Sequence, residues 1–186
     1  MIEKKREENR MNETIKQMME RRSCRSFDPN RQIGDGQLQD LLTAGEWAAN
    51  GRGLQNTVIV AVQDAGDCNT LRRLNAKYLG VESDPYYGAP TILVVLAKED
   101  PDYHTPVEDG SLVMGNLMLA AHSLGLASIW IHRERQIFED EEGKALLAKW
   151  GVTGNWTGIG ACAVGYPSKE LPAGAPRKEG RTKIIR

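Results

Sequence analysis

The stretch from Thr105 to Gly125 constrains the fold more than any other part of the chain. Thr105, Pro106 and Glu108 stand as cap, first helical residue and capping-box partner, and Gly125 follows the last apolar turn. Between these signals lie Leu112, Val113, Met114, Leu117, Met118, Leu119, Ala120, Ala121 and Leu124, which cover most of the helical circumference. A helix that is apolar nearly all round has to be covered nearly all round. The chain has 186 residues, a length that implies one domain burying roughly 70% of its unfolded surface. In a domain of that size such a helix needs strands or a partner subunit to cover it, and a dimer is the first expectation.

The flanking segments supply the strands. Thr57 to Val62 is β-branched and apolar and predicts a buried strand; Thr91 to Ala97, Ala127 to Ile131 and Thr157 to Val164 predict three more. Ile15, Met18, Met19 and Arg22 follow helical spacing behind Asn12 as cap. Asp35 is the expected cap of a helix whose stripe is Leu38, Leu41, Leu42, Gly45 and Ala48. Leu71, Leu74 and Tyr78 mark a short helix, and Phe138, Ala145, Leu146 and Trp150 mark another. Residues 49–56 and 85–90 are turn-rich. Residues 1–11 form a solvated extension of alternating charge, and 12–186 a single domain. Its last part, 167–186, is basic and largely unpatterned, an arm expected to lie on a partner.

Charge and cysteine content exclude several classes. Lys+Arg 24 against Asp+Glu 25 leaves a net charge of -1, unlike a dedicated nucleic-acid binder, and 6% aromatic residues are too few for a base-stacking platform. Cys24, Cys68 and Cys162 make no CxxC pair and read as reduced thiols. The first residues show no apolar signal region, and no window is apolar for long enough to span a membrane. A cytoplasmic location is the expectation. His104, His122 and His132 have no metal-ligand spacing, and no P-loop, GxSxG or HExxH motif occurs. The glycines of Gly158-Ile159-Gly160 lie in a strand and lead to no helix N-terminus, so they make no dinucleotide fingerprint.

Two clusters remain. In Arg21-Arg22-Ser23-Cys24-Arg25, an extended backbone puts Arg21, Ser23 and Arg25 on one face, where two guanidinium forks and a hydroxyl suit a phosphate. The same residues also read as cations that complement a helix C-terminus. Cys24 is a structural thiol by default, with neighbouring cations that could favour its thiolate. In Asn50-Gly51-Arg52-Gly53-Leu54-Gln55-Asn56, glycines permit close backbone approach to a flat ligand, and Asn50, Gln55 and Asn56 offer paired donors and acceptors. A plain helix-to-strand connection would have the same composition.

The order of these pieces resembles the nitroreductase family of FMN-dependent oxidoreductases. Arg21 to Phe27 is similar to the family's RRSxRxF opening, and Glu46 to Gln55 to its "AxWAPSxxNxQPW" loop. His122 to Ile131 resembles the "AARxLGLGSxWI" segment; Val164-Gly165-Tyr166-Pro167 and Pro176-Arg177-Lys178 resemble its last motifs. The resemblance implies an α+β fold, a three-layer sandwich with a mixed central sheet flanked by helices and a C-terminal arm exchanged onto the partner subunit. It implies a homodimer with FMN at the subunit interface. Arg21, Ser23 and Arg177 would hold the FMN phosphate, Arg22 and Lys178 would also contact the cofactor, and Arg25, near the pyrimidine edge at N1 and O2, would stabilise the reduced flavin electrostatically. Asn75 would bond the pyrimidine edge. Backbone amides around Ile131, His132 and Arg133 would face N5 and O4, while Asn50, Gly51, Gly53 and Gln55 would come from the other subunit.

The sequence departs from the pattern in places. Ala49 stands for proline, Gly53 for asparagine and Asn56-Thr57 for Pro-Trp, which predicts a more mobile loop; the family's second cation after Asn75 has no clear equivalent beyond Lys77. The implied reaction is a ping-pong exchange in which NAD(P)H is oxidised and a small-molecule acceptor such as a nitroaromatic, quinone or enone is reduced. The flavin carries the hydride, so no protein nucleophile or metal is required. A relative with another flavin task, or a flavin-binding sensor, are the alternative readings.

Overall fold

The computed structural model describes residues 11–186, so the expected extension falls outside the described residues except for Met11, which is exposed. The elements run α1 (Glu13–Glu20), α2 (Asp35–Glu46), β1 (Thr57–Val62), α3 (Ala65–Leu79), β2 (Thr91–Lys98) and α4 (Pro106–Ser123). They continue with β3 (Ala127–Ile131), α5 (Glu134–Glu139), α6 (Glu141–Lys149) and β4 (Trp156–Gly165). The four strands form one sheet in the order β1-β2-β4-β3, antiparallel throughout. The parallel component of the expected mixed sheet is a single bridge, Ser23 to Ser128, on the outer edge of β3.

Alternation along the strands creates the layers. Ile92, Val94 and Leu96 of β2, with Ala161 and Ala163 of β4, face a core closed by Leu71 and Leu74 of α3, Ile137 and Phe138 of α5, and Leu146 and Leu147 of α6. Leu93, Val95, Cys162 and Val164 face the other core, closed by Leu41 of α2 and by Val113, Met114, Leu117 and Ala121 of α4. Central strand β2 is buried except at Lys98, whereas β1 is only half-buried. An edge strand lacks a neighbour on one side, which is why β1 falls short of the burial its composition predicts.

Helix ends show where local chemistry shifted the expectation. Asn12 caps α1 as predicted, its Oδ1 accepting from the amides of Thr14 at 3.0 Å and Ile15 at 3.4 Å. The cap of α2 is Gly34 rather than Asp35, which is the first helical residue; the Gln37 side chain accepts from the Gly34 amide. The expected short helix around Leu74 is a 15-residue α3, because the cap Asp64 and the left-handed Gly80 extend it at both ends. The helix expected around Phe138 is two helices. Asp140 turns extended at ψ 147 and its Oδ1 accepts from the Glu142 amide, a new cap that interrupts the run.

Thr105 occupies the cap position of α4 but makes no side-chain capping bond, so the expected capping box is absent. One face of α4 stays open: Leu112 is 48% exposed and Val107 60%. Ile15, Met18 and Met19 of α1, which packs beside α4, are exposed as well. The tail is tied to its own domain as far as Ser168, whose amide donates to Ser26 O at 3.0 Å, and Leu171 packs against the first core. Beyond Leu171 it is exposed. The three cysteines are free and buried. No helix among the described residues is long and apolar enough to cross a membrane.

Candidate cofactor-binding site

The arginine cluster is extended, as its sequence suggested. Helix α1 ends at Glu20, Arg21 adopts φ -54 and ψ 133, and the Cys24 amide donates to Ser128 O at 3.0 Å. The segment therefore lies along β3, and because Cys24 turns into the core, alternation turns Ser23 and Arg25 away from it. Arg21 and Ser23 are half-buried and Arg25 is exposed. Nη1 of Arg21 is buried without a hydrogen-bond partner. A buried guanidinium N–H left unpaired is costly, which marks this position as one suited to an anion.

Arg22 follows the other reading. Its Nη1 donates to Met19 O at 2.6 Å and to Arg21 O at 2.8 Å, so it closes the C-terminal end of α1. Its guanidinium packs directly against Gly174. The tail thus passes the arginine cluster just before Arg177 and Lys178, both exposed. The Cys24 thiol does not become a thiolate here. Burial pushes it above its ordinary value, outweighing the charge of Lys169.

The second cluster is a single 3-10 turn, Gly51–Gly53, with left-handed backbone at Arg52 (φ 55), Gly53 (φ 69) and Gln55 (φ 52). Asn50 Oδ1 accepts from the Gln55 amide at 3.0 Å. The Gly51 amide donates to both carboxylate oxygens of Asp109, at 3.0 and 2.9 Å, and Tyr103 Oη donates to Asp109 Oδ2 at 2.8 Å. A Cβ at Gly51 would stand 2.5 Å from Thr105 Oγ1. Sequence reasoning missed Asp109 and Tyr103. Their only signal is an acid in the first turn of α4, which ordinarily means a helix-dipole partner.

The third cluster is centred on Asn75, which is fully buried. Its Nδ2 donates to His132 O at 2.7 Å and its Oδ1 accepts from Arg133 Nε at 3.1 Å. Tyr86 Oη, beside it, donates to Glu134 Oε1 at 2.8 Å; Glu134 is fully buried and its Oε2 has no partner. Burial pushes the Glu134 carboxyl up to about 8, against the lesser pull of Tyr86 and Arg133. Asn75 therefore positions the turn after β3 and exposes no edge of its own. Lys77 points elsewhere, with Nζ 2.6 Å from Asp140 Oδ2. His132 and Arg133, together with Tyr103 and Lys98, line a cavity of about 610 Å³.

One chain does not bring all of these groups together. Asn50 and Gln55 line a different cavity, of about 620 Å³, against the end of α2 and β1. The arginine segment and the Ile131–Arg133 turn are related through β3, whose residues Ser128 and Ile131 are about 10 Å apart at the usual strand rise.

A family model, the nitroreductase family, matches residues 18–80 and 69–166. The chain belongs to the nitroreductase family. It is 29% identical over 166 residues to an Archaeoglobus fulgidus protein described as an NADH dehydrogenase/NAD(P)H nitroreductase, covering 86% of this chain and 88% of that one. Among solved structures, a Bacteroides fragilis nitroreductase with bound FMN superposes with a TM-score of 0.85 at 28% identity, covering 95% of this chain and 100% of that one. A Desulfitobacterium hafniense nitroreductase with bound FMN gives a TM-score of 0.83 at 25% identity, with the same coverage.

Proposed function

We propose that the protein is an FMN-dependent NAD(P)H oxidoreductase that works as a homodimer. Arg21 carries the reading. It holds a buried, unpartnered guanidinium nitrogen in the motif that the family uses for the cofactor phosphate. The superposition on two nitroreductases with bound FMN supports the same cofactor. When bound, FMN accepts hydride from NAD(P)H and passes two electrons to a small-molecule acceptor such as a nitroaromatic, quinone or enone, in a ping-pong cycle.

The protein's part is to bind, orient and balance charge. Arg21 and Ser23, with Arg177 and Lys178 from the arm, hold the phosphate, while Arg22 keeps the end of α1 in place. Arg25 lies towards the pyrimidine edge. The His132 and Arg133 amides face the reacting edge, and Asn75 fixes them through the His132 carbonyl. Asn50, Gly51, Gly53 and Gln55 come from the second copy, since in one chain they line a separate cavity. The exposed apolar residues of α1 and α4 supply the contact face for that copy, and the arm exchanges across it.

The experiment is removal of both phosphate cations. Arg21→Ala combined with Arg177→Ala deletes two charge-assisted contacts of about 1.5–3 kcal/mol each, so FMN affinity should fall on the order of 100-fold or more. Flavin content after gel filtration measures it, and the elution volume reports the dimer. Full flavin retention by the double variant contradicts the phosphate assignment; a monomer that holds FMN tightly contradicts the shared site.

A further inference from the structure

The loop over residues 50–55 contains nothing that would stiffen it from within. It has no proline, and Arg52 and Gln55 adopt φ 55 and φ 52, a region that costs a non-glycine residue free energy. Arg52, Gly53, Leu54 and Gln55 are all exposed, so burial does not impose this shape either. The tie lies outside the loop. The Gly51 amide donates to both carboxylate oxygens of Asp109, at 3.0 and 2.9 Å. A second tie, from Arg52 Nη2 to Asp102 O at 2.5 Å, lies at the surface.

Asp109 is only 3% exposed, and none of the ion pairs among the described residues includes it. Its support comes from donors: the Gly51 amide, the Tyr103 hydroxyl at 2.8 Å, and the first turn of α4, in which it stands. Burial and the adjoining carboxylate push the Tyr103 hydroxyl well above its ordinary value, so it stays protonated and donates. An acid that only complements a helix dipole works equally well at the surface. This one is buried and gives both oxygens to a segment 58 positions away. The loop it fixes serves no cluster of its own chain. The 620 Å³ cavity lined by Asn50 and Gln55 includes no residue of the arginine segment or of the turn after β3.

We propose that Asp109, with Tyr103, is a positioning residue for the flavin site of the partner subunit, holding the 50–55 loop in the shape that reaches across the dimer. The inference rests on the FMN and dimer reading above and adds two residues to which that reading gives no role. Neither residue touches the cofactor; both act through the Gly51 amide. The proposal has a direction. A defect in the clasp of one chain is felt by the FMN that Arg21 of the other chain holds. An acid that merely stabilised its own chain would weaken the site of that same chain instead.

The test is FMN titration of the FMN-free parent dimer and of dimers assembled from two differently tagged chains. D109N turns an amide N–H towards a donor, which slackens the clasp, and its homodimer should bind FMN about tenfold more weakly. The R21A homodimer should lose about tenfold or more through the phosphate. A mixed dimer of one D109N chain and one R21A chain should hold one FMN at the parental Kd, because Arg21 and an intact clasp meet at one site and both defects at the other. Y103F keeps the carboxylate and should cost its homodimer about threefold. Mixed with R21A it should likewise leave one site of parental Kd, and it carries the test if D109N chains fail to assemble. A mixed dimer without a site of parental Kd overturns the inference, since the effect then stays within one chain. Parental affinity in both the D109N and Y103F homodimers overturns it as well. An unaltered protein that takes up no FMN, or that binds it as a monomer, overturns the FMN or dimer reading first, and this inference with it.

Discussion

Asp109 and Glu134 are buried carboxyls near the starts of α4 and α5, and each accepts a 2.8 Å hydrogen bond from a tyrosine, Tyr103 and Tyr86 respectively. They differ in what else reaches them. Both oxygens of Asp109 also receive the Gly51 amide, whereas the second oxygen of Glu134 receives nothing. A carboxyl supplied with several donors is a clasp between two segments. One supplied with a single donor is pushed towards its neutral form. In this chain the first holds the 50–55 loop to α4, and the second lies under the turn between β3 and α5.

Removing the clasp should have the largest effect. Asp109→Leu leaves the Gly51 N–H and the Tyr103 hydroxyl buried without an acceptor, a loss on the order of 3–5 kcal/mol in urea unfolding. Asp109→Asn keeps one acceptor oxygen and should lose less. A loss below about 1 kcal/mol for the leucine variant would show that the clasp carries little.

Gly158→Ala comes next. A Cβ there would run into the Glu134 carbonyl, because β4 and the start of α5 touch backbone to backbone. Overpacking of this kind costs about 2–3 kcal/mol. A variant as stable as the parent would mean that the Glu134 turn can shift outwards, and the burial of Glu134 would then be a weaker constraint than the account requires.

Glu134→Gln probes the undersupplied carboxyl through pH. The ordinary value of 4.5 is raised to about 8 in the folded chain, so between these values the native state keeps a proton that the unfolded chain releases. Stability should therefore fall as pH rises through that window and level off above it. The glutamine variant should lose this slope. A stability profile unchanged by the substitution would mean that Glu134 is ionised at neutral pH despite its burial.

The smallest effect belongs to Arg133→Gly, which relieves the left-handed conformation and should gain about 1 kcal/mol in the FMN-free protein. A loss of similar size would show that the bond to Asn75 outweighs the strain.

The sequence made the layers legible because burial follows periodicity. The alternation of β2 and the punctuation of α4 by Pro106 and Gly125 need no distant information. The extended backbone of the arginine cluster was legible for the same reason, whereas the turn of Arg22 back onto the Met19 and Arg21 carbonyls was not. The clasp was not. Gly51 and Asp109 are 58 positions apart, and neither residue is unusual in its own segment. The partners of Asn75 and Lys77 were not legible either, because position along a helix does not say what faces it: Asn75 meets the turn after β3, and Lys77 meets Asp140. The left-handed backbone of Arg133 was not legible either, since a positive φ at a non-glycine residue leaves no mark in the sequence.

The central claim is that this chain exchanges electrons through FMN, and an anaerobic visible spectrum tests it most directly. The purified protein, supplied with FMN and freed of excess, should show the absorbance of a bound oxidised flavin. That absorbance should bleach on addition of NADH or NADPH and return when a nitroaromatic or quinone is added. A protein that retains no flavin, or whose bound flavin neither nucleotide bleaches, would contradict the account.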